Sequence, residues 1–174
     1  LKTTLWENLQ WQSRVHFKHL AFIAQTKEEI LNIFIHAQEI GFNPQKQVVL
    51  LKDKAYEEAQ QLIPPQKNTS YQSSEPQIVE ESNNHIRIGL KTDQSGYLIL
   101  ADQFFPGWKA YEQGRELPIL QANYLQKAVR LAPGKHQVDF VYHPQWFYIG
   151  ALLSGLTLLS LFMILWLRKS HERN

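Results

Sequence analysis

The longest apolar stretch of the chain runs over 146–167 and contains no charged residue and no proline. At 1.5 Å per residue, a helix of about 22 residues is roughly 33 Å long, close to the ~30 Å hydrocarbon core of a bilayer. Aromatic rings stand at both ends, with Trp146, Phe147 and Tyr148 at the first and Trp166 at the other, as membrane interfaces favour. The alternative is a buried core helix, but such helices are rarely this long without a strongly polar residue. We therefore predict one transmembrane helix over 146–167.

The beginning of the chain combines a strand pattern with a helix pattern. Residues 15–24 are rich in aromatic and aliphatic side chains, which predicts a strand or a strand pair. Thr26 with Glu29 three residues later forms a capping box, and apolar residues at helical spacing follow it. A helix is therefore predicted from Thr26 until Gly41 stops it.

Two further elements precede a hydrophilic segment. Residues 47–52 have the pattern of a buried strand, whereas 55–62 is ambiguous, with helix slightly favoured. Residues 64–76 are dense in Pro, Ser, Gln and Asn and predict a loop or linker. The sequon at Asn68 in this segment is interpreted as a chance match, because it accepts a glycan only in a cell with the required enzymes.

From residue 78 onward the pattern becomes that of β-strands. Ile86, Ile88 and Leu90 alternate with polar residues, 96–101 is almost entirely apolar, and 138–142 again shows one buried face. Pro-Gly and Gln-Gly pairs supply turns at the intervals typical of antiparallel sandwiches. The fold class is therefore predicted as mainly β (α+β): an antiparallel β-sandwich with one short helix, followed by a single C-terminal transmembrane helix.

The positively charged residues after the apolar run predict its orientation. Arg168, Lys169 and Arg173 follow it immediately, and such residues are retained on the cytoplasmic side. We expect an extracytoplasmic domain over 1–143, a membrane helix over 146–167 and a cytoplasmic tail over 168–174. Pro144 ends the last predicted strand and only Gln145 separates it from Trp146, so the sandwich is expected to lie almost directly on the membrane.

Neighbouring membrane helices are also expected. Gly150, Ser154 and Thr157 fall on one helix face, and small residues at such spacing allow close helix packing, although a lone anchor remains open. No signal sequence is recognisable in the first 30 residues, and the chain begins with Leu1. The interpretation is a C-terminal part of a longer membrane protein, with the parent protein's other transmembrane helices as partners.

Composition and charge exclude several classes of protein. The chain has 174 residues, 44% of them hydrophobic, which is enough for one domain with a core, and it has no cysteine. Disulfide scaffolds, cysteine nucleophiles and thiolate metal sites are therefore excluded. The net charge is +2, and the tail after Leu167 accounts for that excess. Without a basic surplus on the domain, nucleic acid is set aside as a partner.

The motifs of catalysis and metal binding are missing from the sequence. The seven histidines show no pairing that places two ligands on one helix face, and His16 and His19 fall on opposite faces of a predicted strand. Adjacent glutamates such as Glu57 and Glu58 diverge rather than form an acid and base pair. No Gly-rich phosphate loop, nucleophile elbow or zinc-protease motif is present. The chain therefore offers no catalytic residue, metal site or cofactor site of its own.

Aromatic residues near predicted turns are the remaining candidates for ligand binding. Trp108, Tyr111 and Tyr124, together with Phe104 and Phe105, could stack on sugar rings, since Tyr and Trp combine a flat apolar face with a polar tip. The alternative is that Trp108 and the phenylalanines fill the core of the sandwich, and we favour it because large aromatic side chains dominate core burial.

The stretch from Leu100 to Tyr111, LADQFFPGWKAY, resembles the signature sDxyyPGWkAyvdG near the end of bacterial YfhO-family membrane proteins. The similarity covers 100–150 well and 14–51 more loosely. The matching positions to which turn and packing roles are carried over are Asp102, Pro106, Gly107, Trp108, Ala122, Asn123, Tyr124, Pro133 and Gly134. Further residues that fall in the family's order are Gly114, Leu117, Pro118, Ile119, Ala128, Val129, Lys135, His136, Phe140, Tyr142, His143, Pro144 and Gly150.

What the resemblance implies is a polytopic membrane protein related to glycosyltransferases of the GT-C type. Such enzymes take a sugar from a polyprenyl-phosphate carrier and add it to an acceptor outside the membrane, and in Gram-positive relatives this acceptor is lipoteichoic acid. The resemblance transfers no catalytic residue to this chain and implies turn and packing roles for the matching positions. Three functions stay open: an accessory domain of a transferase that covers or positions substrate, which is favoured; a carbohydrate-binding module; and an assembly domain.

Overall fold

A computed structural model describes residues 12–63 and 73–171 of the chain. The chain divides into two compact units, one up to Tyr142 and one from His143 onward. The first unit is a two-sheet β structure with two short helices, and the second is one long helix. The mainly β fold class with a C-terminal apolar helix is thus confirmed, whereas the prediction of a single short helix before it is wrong.

The first unit contains eleven strands in the described ranges, arranged in two sheets. The six-stranded sheet, sheet A, has the order β1-β6-β10-β9-β3-β2, and the five-stranded sheet, sheet B, has the order β4-β5-β11-β7-β8. The strands are β1 (Val15–Lys18), β2 (Leu20–Ala24), β3 (Gln47–Leu51), β4 (Gln77–Ser82), β5 (His85–Thr92), β6 (Gly96–Gln103), β7 (Trp108–Glu112), β8 (Arg115–Leu117), β9 (Leu120–Ala122), β10 (Gln126–Leu131) and β11 (Gly134–Tyr142).

The two sheets pack face to face through the alternating apolar positions. Ile86, Ile88 and Leu90 of β5 point inward, and each is at most 5% exposed. They share a core with buried residues of β11 and with the facing strands of sheet A. That core consists of Val15, Ile86, Ile88, Leu90, Leu98, Leu100, Ala110, Val129, Leu131, Val138 and Phe140. Burial of these side chains is the main stabilising contribution to the sandwich.

A β-α-β unit departs from the predicted antiparallel arrangement. β2 and β3 pair in parallel, and α1 (Lys27–Ile35) connects them. The Thr26 cap is confirmed, since Glu29 N donates to Thr26 Oγ1 at 3.2 Å, while the Glu29 side chain accepts a hydrogen bond from Gln25 N, one residue before the N-cap, at 2.6 Å. Two parallel strands need a long crossover connection, which α1 provides here, so β2 and β3 cannot form a hairpin.

The first helix ends earlier than predicted. α1 stops at Ile35 rather than continuing to Gly41, and a series of turns follows it. Those turns bring Phe42 into the core beneath the helix, where it is 5% exposed and makes edge-on contacts with Phe22 and Phe34. Gly41, with φ of +69°, forms the turn immediately before Phe42 and does not cap the helix.

The ambiguous segment 55–62 is helical. It forms α2 (Lys54–Leu62), whose N-cap residue is Asp53; the Asp53 side chain accepts a hydrogen bond from Tyr56 N. Ala59 is 2% exposed and packs with Tyr56 on the face of sheet A opposite to sheet B. Most of the predicted loop, 64–72 with its sequon, lies outside the described residues, and Ser73 after it forms a bridge with Thr92.

The second unit contains α3 (Gln145–His171), the long apolar helix that the sequence predicts. Its stretch Trp146–Ile164 has a mean hydropathy of 2.0 and none of it is buried within the structure. The hydroxyls of Thr157 and Ser160 donate to the carbonyls of Leu153 and Thr157, so the helix satisfies these polar groups internally. By length and composition, α3 is suited to cross a membrane once.

Candidate functional site

The residues of the signature stretch meet where β6 ends and β7 begins. Gln103 is the last residue of β6, and the Pro106-Gly107 turn, with Gly107 at φ of +104°, leads the chain into Trp108. Phe104 N donates to Leu125 O at 2.5 Å and so ties this connection to the turn between β9 and β10. The connection is therefore held in place at both ends.

Trp108 lies partly inside the sandwich and partly at its surface. Its ring packs against the core between the sheets and lies 5.4 Å from the ring of Tyr142. Lys127 Nζ is 3.9 Å from the centroid of the Trp108 ring, close enough for a cation–π contact. The ring is thus a packing residue and also the partner of a buried cation.

Lys127 is the least exposed charged residue in the described part of the chain, at 1%. Its Nζ donates to the carbonyl of Gln103 at 3.3 Å. Burial lowers the pKa of Lys127, and the negative charge of Asp102 opposes that effect. The cation is therefore held between the ring of Trp108 and the end of β6.

Asp102 connects this end of β6 with the start of the described chain. Arg14 Nε and Nη2 donate to its two carboxylate oxygens at 2.8 and 2.9 Å, and Arg14 Nη1 reaches Glu81 at 2.6 Å. The hydrogen bonds from Arg14 lower the pKa of the Asp102 carboxyl group, and partial burial opposes them. Asp102 is therefore a structural clamp between β6, the residue before β1 and, through Arg14, β4.

The clamp predicts a pH-dependent stability difference between the wild type and Asp102→Asn. Folding lowers the pKa of Asp102 below the value of about 3.9 that it has in the unfolded chain. The ionised carboxylate therefore stabilises the fold above that pH, and this stabilisation is lost as the pH falls through the pKa of the folded state. We expect the variant to lose about 1 kcal/mol near neutral pH, because solvent screens this half-exposed pair. Urea unfolding at several pH values measures the stability difference between the two proteins. A difference that does not become smaller below about pH 4 would contradict the stabilising role of the Asp102 carboxylate.

A groove of about 500 Å³ lies beside Trp108. Seven of its ten lining residues are apolar or aromatic, and Phe105 among them is 54% exposed. Glu116 receives a hydrogen bond from Lys109 at 3.1 Å, and Glu58 of α2 adds a second carboxylate. The lining residues are Glu58, Phe104, Phe105, Pro106, Trp108, Lys109, Glu116, Leu117, Pro118 and Ile119.

This groove suits a sugar better than a purely apolar ligand. Rings can stack on a sugar face while carboxylates accept hydrogen bonds from its hydroxyls. Glu58 and Glu116 were not among the sequence-based candidates, because they lie 58 positions apart and neither belongs to a recognisable motif. Only the packing of α2 and β8 around the β6–β7 connection brings both carboxylates to one groove.

The three aromatic candidates do not form one site. Trp108 lines the groove, whereas Tyr111, three residues further along β7, is on the opposite face of sheet B from Trp108 and is not among the lining residues, although it pairs in register with Glu116, which is. Tyr124, with φ of +75°, occupies the turn between β9 and β10 and packs against the core beneath α1.

Several other positions of the resemblance have structural contacts. Asn123, at φ of +46°, accepts a hydrogen bond from Val49 N through its side chain and so joins β3 to the β9–β10 turn. His136 bonds to Glu112 through Nδ1 and to the carbonyl of Ala132 through Nε2, both at 2.7 Å. These contacts stabilise turns and connections and do not build a reaction centre.

In the described residues, no group of three or more His, Asp or Glu side chains could hold a metal ion. Two carboxylates near Trp108 are paired within the protein, Asp102 with Arg14 and Glu116 with Lys109. The arrangement can bind and orient a ligand, and it contains no nucleophile with an adjacent base.

The signature stretch thus forms the end of β6, the Pro106-Gly107 turn and the start of β7. The comparison with protein families agrees with the resemblance that this stretch shows. The family model described as bacterial membrane protein YfhO matches residues 9–154, which include nearly all of the β unit and the first part of α3. No curated protein and no solved structure matches the chain significantly. Because this match covers more than half of the chain, the chain belongs to the bacterial membrane protein YfhO family.

Proposed function

We propose that the β unit is an extracytoplasmic accessory domain of a membrane glycosyltransferase that uses a lipid-linked sugar. In this proposal the groove beside Trp108 covers or positions a saccharide for cell-envelope glycosylation, with lipoteichoic acid as the acceptor that the resemblance implies. The observation that carries the proposal is the combination of exposed aromatic surface with two carboxylates in that groove. The chemical step itself is assigned to other parts of the transferase.

The short connection to the apolar helix supports a positioning role. Only His143 and Pro144 separate β11 from α3, so the polypeptide between them allows little displacement of the β unit from the bilayer. A domain on so short a tether can act on a membrane-bound substrate, whose reacting group must be held in place for efficient transfer.

Lengthening this connection tests the positioning role. Ten Gly and Ser residues inserted between Pro144 and Gln145 would let the β unit move by roughly 15 to 20 Å while leaving both elements intact. In the complete transferase, we expect the rate of glycosylation in isolated membranes to fall at least about tenfold, because the loss of orientation raises the barrier.

The same insertion at Gln66, in the low-complexity segment, is the matched control and should leave the rate unchanged. A lengthened connection that supports the normal rate, with the β unit still folded, would contradict positioning and favour an assembly domain. Should the complete protein show no glycosyl transfer and yet bind purified envelope glycan, the carbohydrate-binding module that the groove also supports would replace the proposal.

The proposed location of the β unit has its own test. We expect residues before Trp146 to be extracytoplasmic and residues from Arg168 onward to be cytoplasmic, because positively charged flanks are retained inside. In intact spheroplasts, protease should digest a tag inserted within 64–76 and should leave intact a tag placed after Asn174. Lysed spheroplasts, in which both tags should be digested, are the control, and the reverse protection pattern would overturn the orientation.

A further inference from the structure

A second cavity, on the opposite face of sheet A from sheet B, contains a buried arginine. Arg130 of β10 is 6% exposed and lines a cavity of about 290 Å³ between α2, the start of β2 and the turn before β6. Polar side chains form much of its wall, and no carboxylate lines it. We call it the Arg130 cavity; its polar lining includes His19, Tyr56, Gln60, Gln94, Tyr97 and Arg130.

Among the described residues, no carboxylate serves as a counterion for the charge of Arg130. Its Nη1 donates to the hydroxyl of Tyr97 at 2.5 Å, and the guanidinium carbon lies 5.2 Å from the centroid of the same ring. The Nε–H group is buried and has no acceptor in the described part of the chain. An unpaired buried N–H on a cation is costly, so such a group is expected to meet an anion in the working protein.

Other arginines of the β unit are paired differently. Arg14 contacts the carboxylates of Asp102 and Glu81, and Arg87 contacts those of Asp139 and Glu80. Both of these arginines are far more exposed than Arg130 and yet have two carboxylate partners each. Of these three arginines, the most deeply buried one is thus the one without a carboxylate partner in the ranges 12–63 and 73–171.

The groups around Arg130 add further hydrogen-bonding capacity. Gln60 Nε2 donates to the Tyr97 hydroxyl at 3.0 Å, so this oxygen already accepts two hydrogen bonds, one from Gln60 and one from Arg130. The hydroxyl proton of Tyr97 is then left to donate to a third group. Arg130 and Tyr97 face each other in register on β10 and β6, so the two donors are held by the sheet itself.

We propose that the Arg130 cavity binds a small oxyanion group, a phosphate ester or a carboxylate, on its ligand. A planar guanidinium edge matches the two oxygens of such a group, and charge-assisted hydrogen bonds in a buried site are strong. The cavity volume lies at the lower end of small-molecule sites, which limits the bound part to about one sugar or one phosphate group. The proposal does not depend on the groove beside Trp108, because the two sets of lining residues have no member in common.

Titration of the arginine side-chain NMR signals in the 174-residue chain, held in detergent micelles at low chloride, tests this site. Methyl phosphate and acetate are the two probes, and glucose is the uncharged control. We expect the Arg130 Nε–H signal, identified by its absence in Arg130→Lys, to shift saturably with one or both anions at millimolar concentration. Glucose should cause no shift. Saturation with methyl phosphate alone assigns a phosphate ester, and saturation with acetate alone assigns a carboxylate.

Variants distinguish bidentate hydrogen bonding by the Arg130 guanidinium from the effect of a positive charge alone. Arg130→Lys keeps the charge but loses the bidentate edge, so anion affinity measured by backbone amide shifts around the cavity should fall at least about tenfold. Arg115→Lys, an exposed arginine on sheet B, is the matched control and should bind as the wild type does.

Two results would overturn the proposal. The first is a wild-type Arg130 Nε–H signal that shows no saturable shift with either anion up to about 50 mM, since weaker binding would not indicate a specific anion site. The second is equal affinity in wild type and in Arg130→Lys. The wild-type titration decides the question by itself if the variant fails to fold.

Discussion

Replacing Trp108 with Ala is expected to lower the free energy of unfolding of the β unit by about 3 kcal/mol, the lower end of the range for buried aromatic residues. The ring is half-buried, which reduces the loss, but its removal also leaves Lys127 at 1% exposure without its cation–π partner. Urea unfolding of the full chain in micelles, followed by far-UV circular dichroism, measures the effect, and binding of envelope glycan is measured in parallel.

Two further variants show how the Trp108 effect arises. Trp108→Phe keeps an aromatic face over Lys127 and should lose less than half as much stability. In a double-mutant cycle, Lys127→Met should reduce the cost of Trp108→Ala by about 1 kcal/mol, because the buried charge is then gone. Unchanged stability of Trp108→Ala together with lost glycan binding would show that the ring belongs to a binding site and that its packing role is wrong.

Gly96→Ala is expected to be comparably destabilising, at about 3 kcal/mol, although it adds a single methyl group. A Cβ at Gly96 would lie 2.6 Å from Phe17 Cζ and 2.7 Å from the carbonyl oxygen of Lys18. The second contact is with backbone of the paired strand β1, so relief requires β1 and β6 to separate at this end. Thermal unfolding of the full chain in micelles measures the loss.

Gly89→Ala is the matched control for this effect. Its Cβ would lie 3.3 Å from Val79 Cγ2, a side-chain methyl that can rotate away, so the change in stability should stay below about 1 kcal/mol. A combination of Gly96→Ala with Phe17→Leu should recover part of the loss and leave the part caused by the Lys18 carbonyl. Equal stability of Gly96→Ala and wild type would show that β1 does not approach β6 as closely as described.

Local patterns were sufficient for most of the individual elements. The alternation of Ile86, Ile88 and Leu90 predicted β5 because a strand places every second side chain on one face. The Thr26 and Glu29 pair predicted the start of α1 because the hydrogen bonds that these two side chains make all lie between Gln25 and Glu29. Neither prediction required knowledge of any distant part of the chain.

The prediction failed where an element depends on distant partners. The parallel pairing of β2 with β3 is decided by the crossover through α1, and the early end of α1 is decided by the burial of Phe42. The segment that forms α2 remained ambiguous because its helix packs Ala59 against sheet A, and that surface exists only when six strands have paired.

The sequence by itself determined the apolar helix, the mainly β character of the rest and, through LADQFFPGWKAY, the family, since each depends on residue types at short spacing. Only the tertiary structure decided that Trp108 covers Lys127, that Glu58 and Glu116 share a groove, and that Arg130 is buried with no carboxylate beside it in the part of the chain that the structure describes. These are contacts between residues far apart in the chain. Their partners depend on strand order and sheet packing, which the free energy of the whole core selects and no local pattern specifies.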